Sequence, residues 1–338
     1  MKIEKRLWGS VDGRCVWLFE MECGDIRACV SNYGGVLQSL IVKGRDVVLG
    51  YDSLEEYRAS ETFFGAMVGP IADRLYHGCC TIDGAQVQLQ CNAGPDCMHS
   101  GADGFHAWLW DWELLEDGVK LLGSYAGEEN PFPGRLDVQL CYRLRENALR
   151  LEYAASCDRE FAASFTNHSY FNLDGGENHC RDHVLILSAD ISAPTRRESE
   201  PICTGRTADV SGTPFDLRDG RRVGDIIARE DFREVRNGGG IDHYFPIRGE
   251  NMRLHAVLES KKSGLRMECR SDAPGVLVYS ANGLEDEPGK GGKRYGRNWG
   301  ICLETECFPN AVNFPGLRNQ AVHPAGSRCE SATEFIFV

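Results

Sequence analysis

Residues 300–313 read Gly300-Ile301-Cys302-Leu303-Glu304-Thr305-Glu306-Cys307-Phe308-Pro309-Asn310-Ala311-Val312-Asn313, an apolar run that ends in polar and structure-breaking residues. The run predicts a buried strand that delivers a carboxylate, Glu304, towards its end. Pro309 and the two asparagines predict irregular backbone beyond it. A carboxylate at the end of a strand beside a loop suits a cleft, but buried carboxylates are more often structural than catalytic. This segment alone leaves both interpretations of Glu304 open.

Short segments in which apolar and polar residues alternate occur on both sides of the Glu304 segment. Such alternation, with a period near two, is typical of strands that have one buried face. The clearest of these segments span residues 16–21, 26–30, 36–42, 86–90, 136–144, 148–155, 183–191, 254–260, 265–270, 276–280 and 334–338. We therefore predict an all-β fold of about fifteen strands with few short helices, arranged as a large antiparallel sandwich of two sheets.

One helix and one hairpin loop have specific local signals. Residues 52–59 predict a helix with Asp52 or Ser53 as its N-cap and Glu55 and Glu56 in its first turn. Residues 261–264 predict a hairpin loop in which Gly264 supplies a positive φ. No repeat, low-complexity tract or linker divides the sequence, so we expect residues 1–338 to form one domain.

Composition and charge limit the classes of partner. The chain has 50 acidic and 37 basic residues, and its net charge of -13 disfavours nucleic acid and anionic membranes. The N-terminal residues lack the apolar core of a signal peptide, and no apolar run is long enough to span a bilayer. We expect a cytoplasmic protein, a monomer or homodimer, that binds a neutral small molecule.

The 15 cysteines are scattered and none form the C-x-x-C spacing of a zinc or redox site. Cys302 and Cys307 lie close to the predicted strand end, and His179, Cys180 and His183 form a weak alternative cluster. Free cysteines in a reducing compartment usually behave as small apolar residues. We therefore expect no metal ion.

Five polar segments, far apart in sequence, carry side chains suited to chemistry. They are Asp73-Arg74, Met98-His99-Ser100-Gly101, Thr166-Asn167-His168-Ser169-Tyr170-Phe171-Asn172, Ile241-Asp242-His243-Tyr244-Phe245 and the Glu304 segment. Taken singly, each has a structural explanation, such as a surface ion pair, a hydrogen-bonded core histidine or a turn. Polar loops of a β-sandwich commonly form one cleft, so the set favours a functional site.

In this set the chain resembles the aldose 1-epimerases, also called galactose mutarotases. The most specific matches are Asn167-His168-Ser169-Tyr170-Phe171-Asn172-Leu173 and residues 302–313. Further matches, in order along nearly the whole chain, are residues 32–35, 37–40, 46–52, 64–69, 72–74, 94–101, 132–134, 214–216, 242–243 and 289–292. The resemblance implies a large antiparallel β-supersandwich that interconverts the α and β anomers of free sugars such as galactose and glucose, without a cofactor or metal.

The resemblance also implies roles for single residues. Glu304 corresponds to the general base and His168 to the general acid, because opening a hemiacetal needs one group of each kind. Three further matches, Arg74, His99 and Asp242, resemble residues that contact sugar hydroxyls, and Asp73 stands beside them. Tyr170 and Trp108 are candidates for an aromatic face to the sugar ring. Since a nearby carboxylate favours imidazolium, we expect the pKa of His168 to exceed about 6.5 while Glu304 stays ionised.

Several positions depart from the usual pattern of this family, so the preferred sugar stays open. Asp73 stands where asparagine is usual, and the other departures are Pro70, Leu277, Glu306 and Asn310.

Three other functions also remain open. Asp242 and Glu304 suit the carboxylate pair of a glycoside hydrolase. A non-catalytic sugar-binding or sensor protein would use the same scaffold. A sugar-phosphate epimerase would need additional cations, and residues 289–297 are their candidate source.

Overall fold

Nine antiparallel strands form the largest sheet of the protein, whose computed structural model describes residues 1–126, 131–197 and 200–338. In spatial order they are Asp111–Leu115, Gly118–Tyr125, Leu136–Arg145, Ala148–Cys157, Arg328–Phe337, Arg266–Ser271, Arg253–Glu259, Val184–Leu187 and Arg221–Arg222. The last strand in sequence, Arg328–Phe337, lies in the middle of this sheet and pairs with Ala148–Cys157 and with Arg266–Ser271. The sheet is therefore completed only by residues distant in sequence.

Two further sheets contribute most of the remaining long strands. One contains Lys2–Val11, Arg14–Cys23, Ile26–Ser31, Leu37–Val42 and Arg45–Asp46, in that order. The other contains, in spatial order, Tyr170–Phe171, Ile301–Glu306, Gly275–Tyr279 and Asp242–Pro246. This four-stranded sheet carries the Glu304 segment.

The remaining strands form two-stranded ribbons. The pairs are Arg74–Leu75 with Cys97–Met98, Phe161–Ala162 with Val322–His323, Met67–Val68 with Thr166–Asn167, Ile191–Ser192 with Ala208–Asp209, Thr195–Arg197 with Glu200–Cys203, Glu287–Pro288 with Arg294–Tyr295, and Cys79–Ile82 with Ala85–Gln88. Several of these ribbons fix loops that reach the candidate site.

Side chains from the three large sheets meet in one apolar core. Leu140 and Phe335 come from the nine-stranded sheet, Val30 from the five-stranded sheet, and Phe171 and Leu303 from the four-stranded sheet; each is almost fully buried. Alternation along each strand sends every second side chain into this core. The all-β sandwich predicted from the sequence is confirmed.

Three short helices are present in the described residues: Leu54–Ala59, Val223–Ile227 and Arg233–Gly238. The first was predicted; Ser53 is its N-cap and forms a reciprocal capping box with Glu56. The other two have Arg222 and Phe232 at their N-cap positions, and neither side chain forms a capping hydrogen bond. Lacking that signal, they were not predicted. Short 3₁₀ segments occupy Tyr76–Gly78, Phe105–Ala107, Cys180–Asp182, Lys290–Gly292, Ala311–Asn313 and Arg318–Gln320.

The structure places strands at all of the predicted segments, with shifted boundaries, and adds strands that were not predicted. Gly264 has a φ of +73° in the predicted hairpin loop. Lys2–Val11 was missed because it is an edge strand exposed along most of its length, so its sequence shows no buried face. Among the described residues, no helix is long and apolar enough to cross a membrane.

Candidate active site

The carboxylate of Glu304 lies inside the four-stranded sheet, on a strand whose six residues are all buried. Glu304 is opposite Leu277 in the neighbouring strand and is only 2% exposed. Because side chains alternate along a strand, Cys302, Glu304 and Glu306 share one face while Leu303 packs into the core. Beyond the strand, Asn310 has a left-handed φ of 61°. The predicted strand and its irregular end are confirmed.

The His168 ring lies beside the Glu304 side chain, stacked between two aromatic rings. Its centroid is 5.0 Å from that of Tyr170 and 5.9 Å from that of Phe63, with interplanar angles of 19° and 21°. Its Nε2 atom is 3.5 Å from the Oε1 atom of Glu304, and its Nδ1 atom is 3.6 Å from the Sγ atom of Cys302. The stacking fixes the plane of the imidazole so that one nitrogen faces the carboxylate.

The residues on either side of His168 hold its backbone in place. Asn167 donates from Nδ2 to the carbonyl oxygen of Gly65 at 2.7 Å and to the Tyr142 hydroxyl at 3.1 Å. The amide nitrogen of His168 donates to the carbonyl oxygen of Ala66 at 2.9 Å. These hydrogen bonds give Asn167 a structural role in the motif and leave the His168 side chain free to face Glu304.

A single arginine separates two carboxylates on the opposite side of the site. Arg74 Nη1 lies 3.5 Å from Asp73 Oδ1 and 4.0 Å from Asp242 Oδ2. Asp242 begins the edge strand Asp242–Pro246, and Asp73 stands in a turn with a φ of 54°. Burial raises the pKa of Asp73 to about 6, although the nearby Arg74 guanidinium opposes that rise. One arginine cannot neutralise two ionised carboxylates, so protonation of Asp73 would remove the excess negative charge.

His99 completes the group of polar side chains and is held in one tautomer. Its Nδ1 atom accepts a hydrogen bond of 3.2 Å from the backbone amide of Asp73. A neutral imidazole carries one proton, so Nε2 must bear it and act as a donor. Burial holds the pKa of His99 well below its usual range, which keeps the ring neutral. Its ring meets that of His168 edge-on at 5.2 Å.

The nitrogen and oxygen atoms of His99, His168 and Glu304 lie within 4.8 Å of one another, close enough to hold a metal ion. A histidine binds a metal ion through one ring nitrogen that carries no proton and accepts no other hydrogen bond. The Nδ1 lone pair of His99 already accepts the amide of Asp73, and its Nε2 carries a proton. The tautomer of His99 therefore argues against a metal ion here.

The other metal clusters considered from the sequence do not form. The Nε2 atom of His183 accepts the Leu173 amide at 3.1 Å, and the Cys180 thiol bonds the Trp299 carbonyl oxygen at 3.2 Å. Cys307 bonds the Gln320 carbonyl oxygen at 2.9 Å. Within the described ranges, only the His99, His168 and Glu304 group has metal-like spacing.

These side chains surround a cavity of about 160 Å³. All six residues predicted for the site line it: Asp73, Arg74, His99, His168, Asp242 and Glu304. The wall also contains Leu277, Tyr170 and Met98, and three residues that the sequence did not reveal, Glu61, Phe63 and Tyr279. The Phe63 backbone has a φ of 57°, a conformation that the local sequence does not predict.

Trp108, a candidate sugar platform from the sequence, does not reach the cavity. Its ring stacks on Tyr125 at 5.1 Å with an interplanar angle of 16°. It also packs against Phe105 at 4.6 Å as part of the apolar interior. That expectation was wrong, because an indole with partners in the core gains more from burial than from exposure in a cleft.

Burial dominates the protonation of the acid and base candidates. It raises the pKa of Glu304 well above its usual value, and the nearby charges of Asp73 and Asp242 raise it further. It also lowers the pKa of His168 to about 4. The expectation of a raised His168 pKa was wrong in direction, because desolvation of both groups outweighs their mutual attraction across 3.5 Å. Both pKa shifts favour the neutral forms of the pair, so the expectation that Glu304 stays ionised was wrong as well.

Glu306 lies two residues beyond Glu304 on the same strand face but does not line the cavity. It is 2% exposed, and neither carboxylate oxygen has a hydrogen-bond partner among the described residues. Burial raises its pKa well above the usual value, and the charges of Asp73 and Glu304 add to that rise. Glu306 therefore costs free energy of folding when it ionises.

The fold and the cavity together define a galactose mutarotase-like β-sandwich. The sequence profile of the aldose 1-epimerase family matches residues 18–335. Galactose mutarotase from Bos taurus is 35% identical over 327 residues, which cover 94% of this chain and 93% of that protein. The chain belongs to the aldose 1-epimerase family, and it is an isomerase.

Solved structures agree with this assignment. The crystal structure of galactose 1-epimerase from Lactobacillus acidophilus aligns with a TM-score of 0.87 at 26% identity, covering 100% of this chain and 98% of that one. An aldose epimerase homologue from C. elegans aligns with a TM-score of 0.86 at 25% identity, covering 95% of this chain and 98% of that one. The similarity extends over the whole sandwich.

Proposed function

We propose that this protein catalyses the interconversion of the α and β anomers of free aldoses of the galactose and glucose type, with Glu304 and His168 as its base and acid. The observation that carries the proposal is the 3.5 Å approach of His168 Nε2 to Glu304 Oε1 in the wall of a cavity. No other function considered from the sequence uses both groups.

The reaction needs two proton transfers on neighbouring oxygens. In a pyranose, the anomeric hydroxyl and the ring oxygen are bonded to the same carbon, C1, so the acid and base must lie side by side. Glu304 removes the hydroxyl proton while His168 protonates the ring oxygen, and the bond from C1 to the ring oxygen breaks. Rotation about the C1–C2 bond presents the other aldehyde face, and closure returns both protons.

The pKa shifts favour these transfers once one proton resides on His168 and none on Glu304. Burial lowers the pKa of His168 to about 4, so its imidazolium is a strong acid. Burial raises the pKa of Glu304, so its carboxylate is a strong base. The pair holds one proton in either arrangement, and substrate hydroxyls that hydrogen-bond to the charged forms stabilise the ionic arrangement.

The remaining polar groups suit recognition of sugar hydroxyls. Arg74 supplies donors, Asp73 and Asp242 supply acceptors, and His99 Nε2 supplies a donor of known tautomer. Hydrogen bonds to charged groups contribute about 1.5–3 kcal/mol each. Tyr170 and the unpredicted Phe63 and Tyr279 line the same cavity and offer apolar contact to the ring.

For each of the three rival functions, the site differs from what that function requires. Glu304 is paired with an imidazole, whereas Asp242 is directed to Arg74, so the two carboxylates are not arranged as an isolated hydrolytic pair. The catalytic pair is intact, whereas a simple sugar sensor does not need it. Within the described residues, Arg74 is the only lysine or arginine lining the cavity, which leaves a sugar phosphate with one cation.

Further properties accompany this proposal. The core cluster includes residues from Phe19 to Phe337, which supports a single domain. The 15 cysteines are free thiols, which suits a reducing cytoplasm. A monomeric or dimeric state, the independence from cofactors and the lack of nucleic-acid or membrane partners remain predictions.

Polarimetry with freshly dissolved α-glucose and α-galactose tests the proposal. We expect the protein to accelerate mutarotation, and Glu304→Gln and His168→Asn each to lose about 10²–10⁴-fold in rate while staying folded. Glu306→Gln is the matched control, because Glu306 lies on the same strand face outside the cavity. Near-normal rates for both cavity variants would refute the assignment. Arabinose, xylose and a hexose 6-phosphate, compared by kcat/KM, then define the preferred sugar.

A further inference from the structure

A second cavity of about 390 Å³ lies apart from the sugar site and shares no lining residue with it. Three exposed arginines, Arg181, Arg236 and Arg297, stand around it, and Ile227, Ala228 and Val235 give it an apolar wall. Its volume falls within the range of about 300–1,000 Å³ typical of small-molecule sites. Three cations converge here although the chain as a whole has a net charge of -13.

Each guanidinium group is held in place by a neutral acceptor. Arg181 donates from Nε and Nη2 to the Asn298 side-chain oxygen at 3.3 and 3.2 Å. Arg236 donates from Nη1 to the carbonyl oxygen of Glu230 at 2.8 Å, and Arg297 donates to the carbonyl oxygen of Gly239. A guanidinium has five N–H donors, so each group keeps several free for a ligand.

These arginines also lack the partners that neighbouring arginines have. Arg222 pairs with Asp182, Arg229 pairs with Asp231 at 2.8 Å, and Arg233 pairs with Glu234.

By contrast, no ion pair joins Arg181, Arg236 or Arg297 to a carboxylate of residues 1–126, 131–195 or 202–338, whose side chains the structure describes. Glu230 is the only acidic residue lining the described part of the cavity, so a positive excess remains.

We propose that this cavity binds a small molecule that carries a phosphate group. Arginine forks match the oxygens of a tetrahedral dianion, and prior fixation of the side chains reduces the entropy lost on binding. The apolar wall of Ile227, Ala228 and Val235 accepts the organic part of the ligand. The proposal is independent of the mutarotation chemistry, since the two cavities have no residue in common.

The structure also reassigns the basic stretch that the sequence offered as a phosphate site for an epimerase. Arg297 lines this second cavity, whereas Lys290 bonds Asp46 at 2.7 Å and lines neither cavity. The stretch thus contributes one of its cations to an anion site outside the sugar pocket.

Calorimetric titration tests the proposal with inorganic phosphate, pyrophosphate and glycerol phosphate in chloride buffer. We expect saturable binding at one site, with glycerol phosphate tighter than inorganic phosphate because of the apolar wall. Arg181→Gln combined with Arg297→Gln should weaken binding at least about tenfold, a loss of about 1.4 kcal/mol. The control combines Arg6→Gln with Arg248→Gln, which removes two charges from exposed ion pairs that line neither cavity. It should bind normally.

Three results would overturn the proposal. They are no saturable binding of any probe, equal weakening in the control, and unchanged binding in the cavity variant. Equal affinity for inorganic phosphate and glycerol phosphate would overturn the role given to the apolar wall. Mutarotation rates measured on every variant confirm that each is folded, because none of the substituted arginines lines the sugar cavity.

Discussion

The Nε2 atom of His168 lies 3.5 Å from the Oε1 atom of Glu304, and both side chains are removed from solvent. In water, the carboxylate would be ionised at neutral pH and would favour the protonated form of the nearby imidazole. Here desolvation shifts both pKa values towards the neutral forms, lowering that of His168 and raising that of Glu304. The proposed acid–base pair therefore holds one proton, and we expect the bound sugar to determine which of the two groups carries it.

Asp73→Asn should remove an acid limb from the pH profile of kcat/KM. Burial raises the pKa of Asp73 to about 6, so the wild-type enzyme protonates this acceptor as the pH falls through that value. We expect kcat/KM to fall below about pH 6 in the wild type but not in the variant. Activity near pH 7.5 should change little, because an amide oxygen still accepts the Arg74 backbone hydrogen bond. An unchanged limb would contradict a binding role for Asp73.

In the same Asp73→Asn variant, kcat/KM should fall only at a lower pH, where His168 becomes protonated. The pair becomes inactive when it takes up a second proton, and burial lowers the His168 pKa from 6.5 to about 4. We therefore expect kcat/KM of the variant to stay nearly flat until the pH approaches about 4. The measurement needs correction for spontaneous mutarotation and a circular dichroism control for folding. A limb near pH 6.5 would show that His168 is not desolvated in the free enzyme.

Arg74→Gln should weaken sugar binding more than it slows the chemical step. The substitution removes a charged donor that faces Asp73 and Asp242, and such hydrogen bonds contribute about 1.5–3 kcal/mol. We expect KM to rise about tenfold or more with a smaller change in kcat, because Arg74 contacts neither reacting oxygen in the proposed reaction. Arg248→Gln, at an exposed ion pair, is the control. A fall in kcat with unchanged KM would instead assign Arg74 to the transition state.

Glu306→Met should stabilise the fold by about 1–3 kcal/mol at pH 8, since it removes a buried carboxylate without hydrogen-bond partners. The folded-state pKa of Glu306 is raised above its usual 4.5 by burial, so the native state binds a proton that the unfolded chain has released. Its contribution to stability is therefore lost as the pH rises above about 4.5. The gain should be larger at pH 8 than at pH 5 in urea titrations. Lower stability at pH 8 would mean that Glu306 has an unseen partner.

The fold and six residues of the site could be predicted from the sequence, and the physical reasons can be named. Strands with one buried face are recognised by the alternation of apolar and polar residues. Ser53 followed by Glu56 indicates the start of a helix. The six site residues lie in recognisable motifs. Phe63 and Glu61 lie in a loop without a signature, and only the tertiary fold brings them to the cavity.

The direction of the His168 shift depended on burial, which the sequence did not quantify. Charge pairing alone favours imidazolium, and this was the basis of the sequence prediction. The structure shows His168 enclosed by Tyr170 and Phe63, which exclude the water that would solvate a cation. The sequence thus identified the partners of the acid–base pair but not its dielectric surroundings.

The central position of Arg328–Phe337 in the nine-stranded sheet determines when the chain can fold during synthesis. Its neighbours Ala148–Cys157 and Arg266–Ser271 contact each other only through it, and the ribosome makes it after every other strand. Until then both neighbours expose unpaired strand edges, which are prone to association. This sheet can therefore close only after its central strand has been made, and until then its two neighbours are open to association with other chains.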